Sequence, residues 1–313
     1  MKPRIAITLG DPSGIGPEIV AKALRAPAVR RACELIVIGD MASFGPHHER
    51  PPACDSIALS SAAQKITIGR PSKAAGLIAV ESLRRAIGLW RTGQIDAVVT
   101  APVSKESFHF AGLGFPGHTE WLAHECGAKN PAMLMASGPM RALLMTRHLP
   151  LRRVASALNA GVIENSAHAA AAFCREVLRI ARPSLVLCGV NPHAGDNGMI
   201  GKEEVRVFRP ALARLRRKPF DVHGPMAADA AFRDMARGRY DVALAAYHDQ
   251  GMIALKVYGS ERLINITLGL PFVRTSPGHG TAYDIAGKKK ADPRPMIEAI
   301  GFAARYACAR ARA

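Results

Sequence analysis

Aromatic residues are scarce in this chain, at 5% of 313 residues, and acidic ones are outnumbered, 25 Asp and Glu against 42 Lys and Arg. The formal net charge of +17 invites a nucleic-acid reading. Against it, stacking platforms for single strands are few, and the basic residues are spread along helical stretches (Arg84, Arg85 and Arg91; then Arg214, Arg216, Arg217 and Lys218). No helix-turn-helix, zinc-finger or RNA-module pattern is present. The positive charge is read instead as attraction for small anions such as phosphates and carboxylates. Cysteines are also few: Cys33, Cys54, Cys126, Cys174, Cys188 and Cys308 follow no regular spacing and form no C-x-x-C pair. They are expected to be reduced structural thiols. Uninterrupted apolar runs of the roughly 18–20 residues needed to span a bilayer are missing. Arg4–Leu9 reads as a strand rather than a signal-peptide core, so the expectation is a soluble cytoplasmic protein with no membrane partner.

What is there is an α/β pattern. Hydrophobic residues make up 49% of the chain, enough for one large or two ordinary cores. Short apolar runs that read as buried strands alternate with helical periodicity and stop repeatedly at polar clusters. Arg4–Leu9 runs into Gly10-Asp11-Pro12-Ser13-Gly14-Ile15-Gly16-Pro17-Glu18, a strand, a glycine-rich turn and a helix with Pro17 at its first position. The spacing is not G-x-G-x-x-G, and the turn is equally a ligand loop or a tight structural turn. Ser72 is placed to cap a helix running to about Thr92. Asp96–Thr100 ends at Ala101-Pro102-Val103-Ser104-Lys105, and Gly117-His118-Thr119-Glu120 opens a helix where backbone N–H groups, a hydroxyl and an imidazole suit an anion. The bland alternative there is a threonine cap with an incidental histidine. His279-Gly280-Thr281 is expected to open a helix to Gly287, and a terminal helix is expected from about Pro293 to Ala309.

Three histidines share one setting. His148 follows the run Arg141–Arg147, His193 follows Ser184–Val190, and His248 follows Asp241–Ala246. The carboxyl ends of parallel strands are where α/β sheets bind ligands. Three imidazoles delivered there are read as converging on one metal ion, and their wide separation in sequence favours an open catalytic site over a closed structural one. Such an ion polarises a hydroxyl or carbonyl. Lys256 and Arg274 supply cations, Arg274 with the fork that grips phosphate or carboxylate. Asp229 is equally a helix cap or part of the metal's surroundings. The residues alone thus reach metal-assisted chemistry on a small anionic hydroxy compound.

Seven motifs stand in order: Gly10–Glu18 (GDPSGIGPE), Thr100–Lys105 (TAPVSK), Gly117–Glu120 (GHTE), His148–Leu151 (HLPL), Asn191–Gly195 (NPHAG), Tyr247–Gly251 (YHDQG) and Asn265–Thr275 (NITLGLPFVRT). Nearly end to end, the chain resembles the 4-hydroxythreonine-4-phosphate dehydrogenase family of pyridoxal 5'-phosphate biosynthesis. The resemblance implies an isocitrate/isopropylmalate-dehydrogenase-like fold of two α/β/α domains around a cleft, with residues 1–125 and 265–313 forming the first domain and 126–264 the second. It implies a homodimer with its active site at the subunit interface, and NAD- or NADP-dependent oxidation of 4-phosphooxy-L-threonine at C3. Loss of carbon dioxide then gives 3-amino-2-oxopropyl phosphate, assisted by one divalent ion (zinc, magnesium or cobalt). By motif, His148, His193 and His248 are implied as metal ligands and catalytic residues, His248 reaching the partner's site. His118, Thr119, Lys256, Asn265 and Arg274 are implied as substrate contacts, Lys256 also as catalytic. The motifs assign no contacts to the nicotinamide cofactor. Residues 45–71 look shorter than the family's usual connection. Relatives act on threonate or erythronate phosphates, or on an aromatic cis-dihydrodiol dicarboxylate. The intact GHTE favours phosphooxythreonine over the dihydrodiol and separates it less firmly from the sugar-acid phosphates.

Overall fold

The computed structural model describes residues 2–44, 54–56, 66–115 and 117–311. The chain forms two compact units, Met1–Pro131 with Leu270–Arg312, and Ala132–Gly269. The mixed α/β architecture expected from the alternation of apolar runs and helical periodicity is present in both.

The first unit begins with β1 (Arg4–Thr8), α1 (Gly16–Leu24), α2 (Pro27–Ala32), β2 (Glu34–Gly39), β3 (Cys54–Ser56), α3 (Lys73–Arg91), β4 (Ala97–Thr100), α4 (Lys105–Phe110) and α5 (His118–Glu125). The second unit contains β5 (Ala132–Ser137), β6 (Met140–Leu144), α6 (Val154–Ala157), α7 (Ala160–Glu176), β7 (Ser184–Cys188), α8 (Arg209–Leu215), β8 (Asp221–Met226), α9 (Ala228–Ala236), β9 (Val242–Ala245), α10 (His248–Gly259) and β10 (Ile264–Leu268). The chain then returns to the first unit with β11 (Val273–Pro277) and α11 (Arg294–Ala311).

In the first unit the strand order is β3-β2-β1-β4-β11, and every neighbouring pair is parallel. In the second it is β10-β5-β6-β9-β7-β8. There β10, β5 and β6 are antiparallel neighbours, whereas β6, β9, β7 and β8 run parallel. Strands covered on both faces read as continuous apolar runs rather than alternating ones. Ala97–Thr100 and Val242–Ala245 are of this kind, with every residue buried.

Helix α3 shows how the local sequence sets the layers. Ser72 caps it by accepting from Ala75 N at 3.1 Å, as expected of a serine before helical periodicity. Val80, Leu83 and Ile87 face the core and join a buried cluster containing Phe108, Trp121 and Leu122.

Several local expectations shift. Residues 283–289 form successive turns, not a helix, because Ala282, Gly287 and Lys289 take φ of 43°, 75° and 59°, outside the right-handed helical region. Glu204–Phe208 is a π-helical turn that precedes α8. Asp229 does not cap α9: Ala227 holds the cap position and Asp229 lies in the first turn, exposed. The 45–71 connection contains a short strand, Cys54–Ser56, and residues 45–53 and 57–65 of it lie outside the described residues. Cys174 and Cys188 are buried, and burial pushes both thiols up to about 12, so they stay protonated as structural thiols do. Among the described residues no helix is long and apolar enough to cross a membrane.

Two glycines of α3 respond in opposite ways to a methyl group. Alanine is favoured over glycine in a helix by about 1 kcal/mol. A Cβ at Gly88 meets nothing within 4 Å, but at Gly76 it overlaps the carbonyl of Ser107, where α3 packs on α4. Gly88→Ala is expected to raise the melting temperature and Gly76→Ala to lower it, as read by thermal unfolding. Stabilisation by both would show that α4 yields freely.

Candidate functional site

Three strands of the second unit organise the chemistry. β6, β9 and β7 are parallel neighbours, so their carboxyl ends leave the sheet at one edge, about 4.8 Å apart from strand to strand. His148 follows β6, His248 follows β9 and His193 follows β7. The three strand-end histidines read from sequence therefore issue from adjacent strands at the same edge.

That edge is cross-linked by side chains. Thr146, after β6, donates its hydroxyl to the Ala246 carbonyl after β9 at 2.7 Å. Gln250 accepts from Ala246 N at 2.6 Å and donates to the Gly189 carbonyl after β7 at 2.8 Å. Gln250 had no role readable in the sequence. Its helical neighbours gave no sign that its amide would span two strand ends.

His248 is the first residue of α10, and its ring centroid lies 5.8 Å from that of His148, the planes at 40°. Nδ1 of His248 is 2.7 Å from Asp249 Oδ1. A carboxylate only accepts, so Nδ1 carries the proton and Nε2 is left as a lone-pair donor. With a metal–nitrogen distance of about 2.1 Å, two imidazoles sharing one ion have centroids roughly 5–6 Å apart. The His148–His248 pair fits such an ion. His193 stands in a different backbone setting. His193, Ala194, Asp196 and Asn197 take φ of 53°, 53°, 41° and 54°, and Gly195 takes 78°. Each non-glycine residue held there costs about 1 kcal/mol or more. Among the described residues no group of three or more His, Cys, Asp or Glu side chains is gathered closely enough to hold a metal. A single chain thus brings His148 and His248 together without assembling the full triad. Both His148 and His193 are exposed. Lys256 is exposed on α10, and Asn265 lies on β10 with its Oδ1 enclosed and without a hydrogen-bond partner among the described residues.

The first unit has its own polar cluster. Arg274, on β11, is only 2% exposed and donates to the Thr100 hydroxyl at the end of β4 at 2.6 Å. Burial pulls its guanidinium down to about 10, opposed by the Glu120 carboxylate, so it remains a cation at neutral pH. His118 and the buried Thr119 occupy the first turn of α5. The His118 ring sits edge-on to Phe108, and its Nε2 is enclosed with no hydrogen-bond partner among the described residues. Burial first, and the Arg274 charge second, hold this imidazole well below its usual range. A neutral imidazole with an open nitrogen close to a buried cation is arranged to receive a polar anion.

The glycine-rich turn serves its own chain. A Cβ at Gly10 overlaps the Pro102 carbonyl, one at Gly16 overlaps the Leu9 carbonyl, and one at Gly14 comes within 2.9 Å of Thr281. Asp11, fully buried, accepts from Ser13, from Ser107 at 2.6 Å and from Tyr283 at 2.7 Å. These contacts explain the glycines and the aspartate as parts of a tight structural turn.

A sequence profile described as "Pyridoxal phosphate biosynthetic protein PdxA" matches residues 18–303. The chain is 41% identical to a 4-hydroxythreonine-4-phosphate dehydrogenase of Zymomonas mobilis, over 98% of this chain and 96% of that one. It is 38% identical to a D-threonate 4-phosphate dehydrogenase of Cupriavidus necator, over 99% and 98%. Among solved structures, a 4-hydroxythreonine-4-phosphate dehydrogenase from Klebsiella pneumoniae superposes with a TM-score of 0.86 at 38% identity, covering 98% of both chains.

The depressed pKa of His118 has a consequence for stability. An unfolded imidazole takes up a proton near pH 6.5, whereas folded His118 does so only well below that. In between, the unfolded state binds more protons, so the contribution from neutral His118 is complete above about pH 6.5 and is lost as pH falls toward the folded value. His118→Gln is expected to flatten the fall in urea midpoint between pH 6.5 and 5; a slope equal to wild type would refute the assignment of a neutral imidazole.

Proposed function

Because this chain belongs to the pyridoxal phosphate biosynthetic protein PdxA family, we propose that it oxidises the C3 hydroxyl of 4-phosphooxy-L-threonine with NAD or NADP and one divalent ion, and that decarboxylation then yields 3-amino-2-oxopropyl phosphate. The observation that carries this reading is the buried Arg274 cation close to a neutral His118 whose Nε2 is enclosed and open. Such a cluster suits an oxyanion that brings its own acceptor atoms. Arg274 and the first-turn groups of α5, Thr119 and the backbone N–H donors, hold the anionic end of the substrate. His118 accepts or donates one hydrogen bond through Nε2 without adding a second charge beside Arg274. In the second unit, Asn265 and Lys256 supply an amide and a cation to the substrate.

When bound, the nicotinamide takes up hydride, and the divalent ion (zinc, magnesium or cobalt) offsets negative charge on the reacting oxygen. His148, His193 and His248 are the residues that would hold that ion. The spacing of His148 and His248, and the Asp249 carboxylate that fixes the ring of His248, support this.

The protein is proposed to act as a homodimer. Helix α10, which begins at His248, exposes Ile253 and Val257 one turn apart, Val257 at 84%. Leu151, close after His148, and Met199, close after His193, are exposed as well. Large apolar side chains beside an incomplete ligand set suit coverage by a second copy of the chain.

A second reading has its own support in the C. necator relative, which is nearly as similar as the Z. mobilis one. Purified protein assayed for reduced cofactor is expected to favour 4-phosphooxy-L-threonine; a hundredfold preference (about 2.7 kcal/mol) for D-threonate or D-erythronate 4-phosphate would transfer the assignment to sugar-acid catabolism. The sharing of ligands between subunits is open to complementation. His148→Ala and His248→Ala proteins, each inactive, are mixed and refolded together. If His248 serves the partner's site rather than pairing with His148 of its own chain, random pairing restores about a quarter of the sites. No recovery would place His148 and His248 on one ion within a single chain.

A further inference from the structure

Glu204 is fully buried, yet among the described residues its carboxylate meets no cation. It is instead surrounded by N–H donors, all from the segment that carries His193. Oε1 accepts from Val190 N and Asn191 N, each at 2.8 Å, and Oε2 accepts from Asn191 Nδ2 at 2.8 Å. Asn191 Nδ2 also donates to Glu203 at 2.7 Å. Two glycines make room for the carboxylate: a Cβ at Gly189 would lie 3.2 Å from Oε1, and one at Gly195 would lie 2.6 Å from Oε2. The segment so gripped, His193–Asn197, is the run of five consecutive left-handed residues.

A left-handed run built largely from non-glycine residues does not persist unless its surroundings over-determine it. Backbone bonds tie the run to its flanks: Ala194 N donates to the Asn191 carbonyl, Met199 N to that of Asp196, and Ile200 N to that of Gly195. The carboxylate fixes the segment's entry at Val190 and Asn191 and packs against its middle at Gly195. A buried carboxylate without a cation is retained only where several donors satisfy it, and removal of any of them is costly. That dependence couples the side chain and the loop in both directions.

We infer that Glu204 is the positioning residue for His193, its buried carboxylate holding residues 190–197 in the left-handed conformation that directs the His193 imidazole. The inference rests on the reading of His193 as a metal ligand, and the test separates the two. Glu204→Ala removes every acceptor. Glu204→Gln keeps one acceptor for the two backbone donors and turns the other atom into a donor facing Asn191. Gly195→Ala keeps the glutamate but displaces its carboxylate sterically, at a position where Ala194 and Asp196 show that side chains tolerate positive φ. This last variant keeps the question answerable if Glu204→Ala fails to fold.

The readouts are hydrogen exchange of residues 190–201 in metal-free full-length protein, and cobalt(II) binding followed by its visible absorption spectrum. Outer partners of metal ligands are worth about 10–100-fold in affinity. All three variants are expected to exchange faster in this segment and to bind cobalt about 10–100-fold more weakly, Glu204→Gln least affected. Unchanged exchange in Glu204→Gln and Gly195→Ala would overturn the inference. So would faster exchange with undiminished cobalt affinity, provided His193→Ala itself loses affinity; Glu204 would then be structural only and the ligand reading would stand. If His193→Ala binds cobalt as tightly as wild type, the ligand reading fails, and the positioning role falls with it.

Discussion

Three parallel strands, β6, β9 and β7, end side by side, and the second unit's chemistry depends on how those ends are held. Parallel neighbours bring their carboxyl ends to one edge whatever their order along the chain, which is why histidines a hundred residues apart emerge there together. Hydrogen bonding within the sheet stops where the strands stop. Beyond that line the order comes from side chains: Thr146 joins the β6 end to the β9 end, Gln250 joins the β9 end to the β7 end, and Glu204 ties down the segment after β7. Each of these bonds satisfies a backbone group that the sheet itself leaves without a ladder partner.

The two units handle charge differently. In the first, Arg274 is taken out of water and steadied by the Thr100 hydroxyl, with Glu120 favouring its charged form. Burial keeps His118 neutral beside it, so the cluster holds one positive charge and one uncharged imidazole. In the second unit His148 and His193 lie at the surface of a single chain, and one buried carboxylate, that of Glu204, is met by N–H donors. A half-buried imidazole with one nitrogen held by Asp249 is prepared to bind; a buried arginine with an amphoteric neighbour is prepared to receive an anion. The net charge of +17 acts over a longer range than either, favouring the approach of phosphorylated anions.

Much of this was legible in the residues themselves. The apolar runs Asp96–Thr100 and Asp241–Ala246 marked buried parallel strands, and the polar residues that follow them marked strand ends. Ser72 announced α3, and the spacing of Leu83 and Ile87 announced the face it buries. His118, His148, His193, His248 and Arg274 stood out because such side chains are uncommon next to buried strands. Less legible was the stretch from His279 to Gly287, whose composition suits a helix but whose backbone takes positive φ at Ala282 and Gly287.

The sequence by itself determined the α/β class, the strand ends and the identity of the polar groups gathered there, because periodicity and composition are properties of neighbours along the chain. Only the tertiary structure decided which strands lie side by side, that Gln250 spans two strand ends and Glu204 anchors the segment after β7, that Gly10, Gly14 and Gly16 serve close packing, and that His193 rides on a left-handed turn. Those features depend on contacts between residues distant in sequence, and on the donors and acceptors that burial forces into pairs. A glutamate that reads as one more charge at the start of a helix becomes, once buried, an anchor for the loop of His193.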